Sequence, residues 1–260
     1  MEPSKTDSDY LKKISKKLAA LLKKSPESFD DEDYHKLRVE IKKLKAVAGF
    51  AAFANENFSK KKQIKPFSKV YKHAGKIREL QLEETFLKNN NAGFIEHYLD
   101  EMDKRIQKEK KKFSSLISKK LRRKTKKSVQ KIEQVLGRTN EKDEIQFMEN
   151  ERKKIASLTN KLPLKAEDAH RLRKTLKEDF YTRKRVHWPS EKIKAEDDLL
   201  ELLGKWHDCV VLNEQIGTSI LKAAIKPAEL AELIKINALV SSQSENLFSQ
   251  INSKLSQGLY

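Results

Sequence analysis

The chain has 260 residues, 37% hydrophobic and 36% charged, with 56 Lys and Arg against 38 Asp and Glu and a net charge of +18. That length can bury one large core or two modest ones, and the single cysteine, Cys209, excludes an internal disulfide and a cysteine-based zinc site. A surface so basic repels itself unless a polyanion offsets it, so nucleic acid, an anionic membrane and polyphosphate are the partner classes the charge points to.

Seven glycines and six prolines leave few turns, and the abundant Lys, Leu, Glu and Ala are good helix formers. The first predicted helix covers about residues 6–24, where Leu11, Ile14, Leu18, Leu21 and Leu22 recur at three- and four-residue steps before Ser25-Pro26. The acidic run Asp30 to Asp33 suits the positive end of a second helix, about 31–54, with Leu37, Ile41, Leu44 and Ala48 on its apolar face.

Pro66 opens a third helix, about 66–89, and Asn89-Asn90-Asn91 with Gly93 make the next break. Residues 94–136 read as one basic helical stretch ended by Gly137, followed by a helix of about 141–160 that closes at Leu162-Pro163. The last three expected helices are about 164–186, ending near Trp188-Pro189, then 191–222, then Pro227 to about Leu255. No alternating run is long enough for a strand, so the fold class is all-α.

Two motifs repeat. His35-Lys36-Leu37-Arg38 with Ile41-Lys42 reads against His170-Arg171-Leu172-Arg173 with Leu176-Lys177, and Gly75 to Glu79 reads against Gly204 to Asp208. Recurrence of both in the same order predicts a duplicated helical bundle, with halves at 1–137 and 138–260 of a single domain.

On a helix, His35, Arg38, Lys42 and Lys45 share one narrow stripe opposite Leu37, Ile41 and Leu44, and His170, Arg173, Lys177 and Lys184 make a second. Solvated helix faces usually mix charge signs, because like charges three or four residues apart cost stability. These stripes do not mix them. Arg can grip phosphate oxygens with a planar fork of donors and Lys adds mobile point charges, so two converging stripes would suit a phosphate chain. Each His could donate to phosphate, or gain charge near its ordinary pKa of about 6.5. Arg78 and His207 hold equivalent repeat positions, each followed by an acid, whereas His73, His97 and His187 have no such context and are read as structural.

Residues 104–131 hold fourteen Lys or Arg and one acid, Glu109; at least half of these form a general basic field, and Arg122 and Arg123 are candidates for the groove. The sequence has no Gly-rich phosphate loop, no zinc-protease or serine-nucleophile motif and no carboxylate cluster suited to a metal. Neither catalytic residues, metal nor cofactor are therefore expected. Aromatics make up only 7% and are not interleaved with the basic clusters, which disfavours single-strand stacking platforms. No apolar run approaches the roughly 20 residues of a membrane span, and residues 1–7 lack a signal-peptide core. The expected location is the cytoplasm.

The run from His35 through Arg38-Val39 to Lys42-Lys43 and Lys45 resembles the opening motif of CHAD domains, the conserved-histidine α-helical domains. His170, Arg173, Lys177 and Tyr181 resemble the family's second repeat, and the Gly75–Leu80 and Leu203–Asp208 segments its inner helices. The resemblance implies two pseudo-symmetric helical bundles with a basic channel that binds inorganic polyphosphate without catalysis, in some members at polyphosphate granules. By position it implies contacts at His35, Arg38, Lys42, Lys45, Arg78, His170, Arg173 and Lys177, to which the stripe adds Lys184 and the basic segment Arg122. The chain departs from the family in having Phe180 before Tyr181 and Lys at 42, 43 and 45, which keeps charge but loses the guanidinium fork. Sequence-independent binding of RNA or DNA through the 104–131 segment is the alternative.

Overall fold

In the computed structural model, residues 5–90, 95–186, 193–222 and 225–258 are described, and among them the secondary structure is helical throughout, without strands. The helices are α1 (Lys5–Lys23), α2 (Asp31–Ala54), α3 (Lys60–Ile64), α4 (Ser68–Asn89), α5 (Glu96–Ser114), α6 (Lys119–Leu136), α7 (Glu141–Thr159), α8 (Ala166–Val186), α9 (Ile193–Lys222) and α10 (Pro227–Ser256). Single 3-10 turns cover Pro26–Ser28 and Lys65–Phe67. The all-α expectation holds, and most ends fall within two residues of the periodicity reading. The expected breaks at Asn91 and Gly93 and at His187 to Pro189 lie outside the described residues.

Two expectations are corrected. Residues 94–136 are two helices, because the backbone of Ser118 is extended (φ −137°) and its hydroxyl accepts from the Leu121 N–H, starting α6 afresh. Ahead of α4, the short α3 is started in the same way by Ser59, which caps Lys62, so Pro66 sits in the 3-10 turn instead of opening the long helix. The acidic run does what its position suggests. Asp30 caps α2, and Asp30 and Asp33 each accept from the other's backbone N–H. Buried Asp33 also accepts from Lys24 Nζ at 2.6 Å, and this partner helps hold its carboxyl below the ordinary range against the opposing effect of burial.

The chain packs as two compact units, each assembled from three stretches: 1–75, 110–158 and 174–189 in the first, 76–109, 159–173 and 190–260 in the second. These do not follow the motif halves at 1–137 and 138–260, and α4, α5 and α8 each supply residues to both units.

In the first unit α1, α2, α3 and α6 pack together around Leu11, Ile14, Leu18, Leu37, Ile41 and Leu44, all at most 1% exposed. Phe29, Tyr34 and Phe113 close one side with ring centroids 5.0–5.4 Å apart, and burial pushes the Tyr34 hydroxyl up to about 12. Arg183 and Asp179 form an ion pair one helical turn apart on α8 and are 3% and 0% exposed.

In the second unit α9 and α10 lie along each other, and Leu87, Ile95, Met102, Ile216, Leu233 and Val240 make the core. Glu83, fully buried beside this core, accepts from the Tyr98 hydroxyl at 2.6 Å, and Arg105 Nη1 donates to Ser219 Oγ at 3.3 Å. Burial raises the Glu83 carboxyl above its ordinary 4.5, against the opposing pull of Tyr98 and Arg105. A raised folded-state value means that the neutral acid is the better-tolerated form. Stability from this group is therefore fully present below the unfolded value and is lost as pH rises through the folded one. Urea midpoints measured from pH 4.5 to 8 should fall further for the native chain than for Glu83→Gln, which cannot ionise; parallel curves would refute this.

Candidate basic site

Helix α2 presents the first stripe as its periodicity demands. Leu37, Ile41, Leu44 and Ala48 are 0% exposed, while Arg38, Lys42 and Lys45 are half-buried and His35 is exposed. Glu40, on the flank, is turned inward at 5% exposure and accepts from Lys43 at 2.7 Å, so the stripe keeps its single sign.

The centre of the site is a tyrosine. Arg38 Nη1 donates to the Tyr71 carbonyl at 3.1 Å, its guanidinium carbon lies 4.6 Å from the Tyr71 ring centroid, and Lys45 Nζ lies 3.8 Å from the same centroid. One ring on α4 thus orients two cations of α2, each by the attraction between positive charge and the π face. Gly75, one turn further along α4, is demanded by this arrangement. A Cβ there would overlap Arg38 Nη1 and come within 3.0 Å of its Cζ.

A third cation arrives from α3, where Lys60 Nζ reaches the gap left by Gly49, whose Cβ would lie 3.2 Å away. Lys60 is paired to Glu178 of α8 at 3.3 Å. Burial lowers the Lys45 amine below its usual 10.5, and the neighbouring charges of Arg38 and Lys60 lower it further, with Glu178 opposing. All these residues belong to the first unit. The arrangement holds like charges together at a standing electrostatic cost, which a bound anion would relieve.

The other nominated residues are spread over both units. Lys42, Lys177, Lys184 and Arg122 lie in the first; Arg78, His170 and Arg173 lie in the second. Lys177 is half-buried, and exposed Lys184 places its amine 4.1 Å from the ring centroid of Phe180, the residue by which this chain departs from the family motif. Arg122 donates from Nη1 to the Leu22 carbonyl at 3.3 Å, a cation on the last turn of α1, which gives it a bracing role.

In the second unit half-buried His170 lies 4.7 Å from Trp206 and meets His207 edge-on at 5.2 Å, while Trp206 continues to Phe248 at 5.3 Å. Gly204, the repeat counterpart of Gly75, would meet nothing within 4 Å if it carried a Cβ. The two repeats therefore share motif letters but not local packing. His207 Nδ1 lies 3.6 Å from Asp208 of its own helix. In α5 the backbone N–H of His97 donates to Glu229 at 2.8 Å, and its Nδ1 lies 3.8 Å from the same carboxylate.

The dense basic segment resolves into a sided helix. Leu121, Thr125, Ser128, Val129, Ile132 and Leu136 bury one face of α6. Lys119, Lys120, Arg123, Lys124, Lys126, Lys127 and Lys131 are exposed. Among the described residues no three His, Cys, Asp or Glu side chains gather as a metal-ligand group, and no helix is long and apolar enough to cross a membrane.

Sequence reasoning missed Tyr71, Lys60, Gly49 and Glu178. Each stands on a different element from the α2 stripe or carries no charge, so no periodicity connects them to it.

The fold as a whole matches known structures. The crystal structure of the CHAD domain from the plant Ricinus communis aligns with TM-score 0.76 and 16% identity, over 98% of this chain and 92% of that one. PptA from Streptomyces chartreusis aligns with TM-score 0.71 and 12% identity, over 99% and 100%. No curated protein matches the sequence. The sequence model of the CHAD domain matches residues 11–217, which include both repeated motifs and the Arg38–Tyr71–Lys45 cluster, and on that match the chain belongs to the CHAD domain family.

Proposed function

We propose that this chain binds inorganic polyphosphate and performs no reaction on it. The observation that carries the reading is the cluster of Arg38, Lys45 and Lys60 around Tyr71, in which the amine of Lys45 is disfavoured by burial and by its own cationic neighbours. A nucleophile or acid–base pair would call for mixed functions. This cluster offers cationic donors with Glu178 as the acid at its edge, which suits holding phosphates more than cleaving them.

Arg38 supplies the two-pronged grip, and Lys45 and Lys60 supply point charges. His35 and Lys42 extend the same face of α2, with Lys177 and Lys184 as further contacts on α8. Arg78, His170 and Arg173 are proposed as a second contact point. Membership of the CHAD domain family favours the same ligand. Association with polyphosphate granules in the cytoplasm would follow from such binding.

The test is a titration with long-chain polyphosphate at near-physiological salt, in competition with duplex DNA at equal charge concentration. The native chain should prefer polyphosphate, and affinity should rise with chain length. Arg38→Ala combined with Arg173→Ala should weaken binding at least about a hundredfold, since each charge-assisted hydrogen bond is worth about 1.5–3 kcal/mol. Equal affinity for very short and long chains, or an unaffected variant, would overturn the proposal. So would phosphate release on adding magnesium or manganese.

A further inference from the structure

We infer that the outer face of α6 is a second polyanion surface, separate from the Arg38 cluster, and that it takes the phosphate backbone of a nucleic-acid duplex. At about 100° per residue, the seven exposed cations from Lys119 to Lys131 cover an arc of about 160°, opposite the buried Leu121–Val129–Ile132 face. At about 1.5 Å per residue they extend over about 18 Å, one charge per roughly 2.6 Å. A duplex presents one phosphate charge per roughly 1.7 Å of its axis.

What marks this face is a whole helical side of cations without counter-ions. Several exposed lysines on other helices sit beside acids one turn away, as in Lys88–Glu84, Lys104–Glu101, Lys205–Glu201 and Lys235–Glu232. Among the described residues none of the seven α6 cations makes an ion pair or hydrogen bond. Instead they stand at three- and four-residue steps from one another, the spacing at which like charges destabilise a helix. α1, which packs against α6, adds exposed Lys13, Lys16 and Lys23, likewise unpaired.

The chemistry of the face selects the partner. Neither helix carries any of the exposed large apolar residues, Leu82, Ile145, Leu162, Leu221, Ile234 and Leu239, so there is nothing to insert into a lipid surface. α6 has no aromatic residue to stack an unpaired base. Six of the seven cations are Lys, point charges suited to phosphates of any sequence. An arc this wide on a helix about 10 Å across suits a broad, rigid array of phosphates better than a single thread.

The experiment compares three proteins: the native chain, a variant with Lys119, Lys124, Lys127 and Lys131 all changed to Gln, and Arg38→Ala combined with Lys45→Ala. A 20-base-pair DNA duplex of mixed sequence is titrated by fluorescence anisotropy at several salt concentrations. Long-chain polyphosphate and phosphatidylserine–phosphatidylcholine vesicles are run in parallel. The Gln variant should keep its helix content by circular dichroism, since the changed side chains are exposed and Gln is a good helix former.

The inference expects that variant to bind duplex at least tenfold more weakly, with a log–log salt slope shallower by about 3–4, one unit for each phosphate no longer neutralised. It should retain polyphosphate binding, while the Arg38–Lys45 variant shows the opposite pattern. Unchanged duplex binding in the Gln variant would overturn the inference, as would loss of duplex binding in the Arg38–Lys45 variant alone. Vesicle binding tighter than duplex binding at equal charge would overturn it too. Failure of the polyphosphate arm alone would count against the proposed function and leave this face standing.

Discussion

Arg183→Ala should lower the unfolding free energy by about 3–5 kcal/mol, among the largest single-residue effects expected in this chain. Arg183 and its partner Asp179 are 3% and 0% exposed, so the variant would leave a carboxylate in the interior without the guanidinium that balances it. The cost lies in the interior carboxylate losing that guanidinium, since a buried pair as a whole is worth much less than the loss of one member. Asp179→Leu combined with Arg183→Met should therefore recover most of the loss. Urea unfolding of the single and double variants measures this directly, and a double variant as unstable as the single one would show that the pair itself stabilises the fold.

Gly75→Ala should leave the fold nearly as stable as before and weaken polyphosphate binding about 10- to 100-fold. The new Cβ would overlap the far end of the Arg38 side chain, which is flexible and can swing away. Moving Arg38 forfeits its hydrogen bond to the Tyr71 carbonyl and its place over the ring, worth about 1–2 kcal/mol together. Ala is preferred over Gly in a helix by about 0.8–1 kcal/mol, which offsets much of that loss. The binding effect corresponds to one displaced charge-assisted hydrogen bond.

Gly204→Ala is the control, because its Cβ would meet open space. It should gain up to about 1 kcal/mol, or roughly 2–4 °C in Tm. Thermal melts together with polyphosphate titration separate the cases. Equal effects at the two glycines would contradict the difference in packing between the repeats.

Much of the fold was legible because one period runs through the chain. Leu11, Ile14 and Leu18 on α1 and Leu37, Ile41 and Leu44 on α2 mark buried faces that the structure keeps. The helix starts separate by their chemistry. Asp30 and the acids after it announce α2, whereas Ser118 and Ser59 are followed by Lys-Lys-Leu and Lys-Lys-Lys, which look like continuing basic helix or loop and hide the caps of α6 and α3.

Burial of charge was not legible either. Asp179–Arg183 and Glu84–Lys88 have the same spacing, yet the first pair is buried and Lys88 is largely exposed, because the surroundings and not the spacing set the exposure. At the site, the cationic half is local to α2 and could be read from the stripe. The aromatic and glycine half comes from α4, more than twenty residues away, so the sequence could not show that Tyr71 lies under both Arg38 and Lys45.

The interleaving of the two units bears on how the protein is made. The first unit draws its last stretch from residues 174–189, after two segments of the second have already been synthesised. At about 5–20 residues per second, the ribosome takes roughly 6–23 s to pass from residue 75 to residue 189. During that interval α1 and α2 are already synthesised without the α8 residues that complete their unit. A nascent chain with the basic stripe exposed and its core unfinished would then meet ribosomal RNA at close range. Premature termination anywhere before residue 189 would leave neither unit whole.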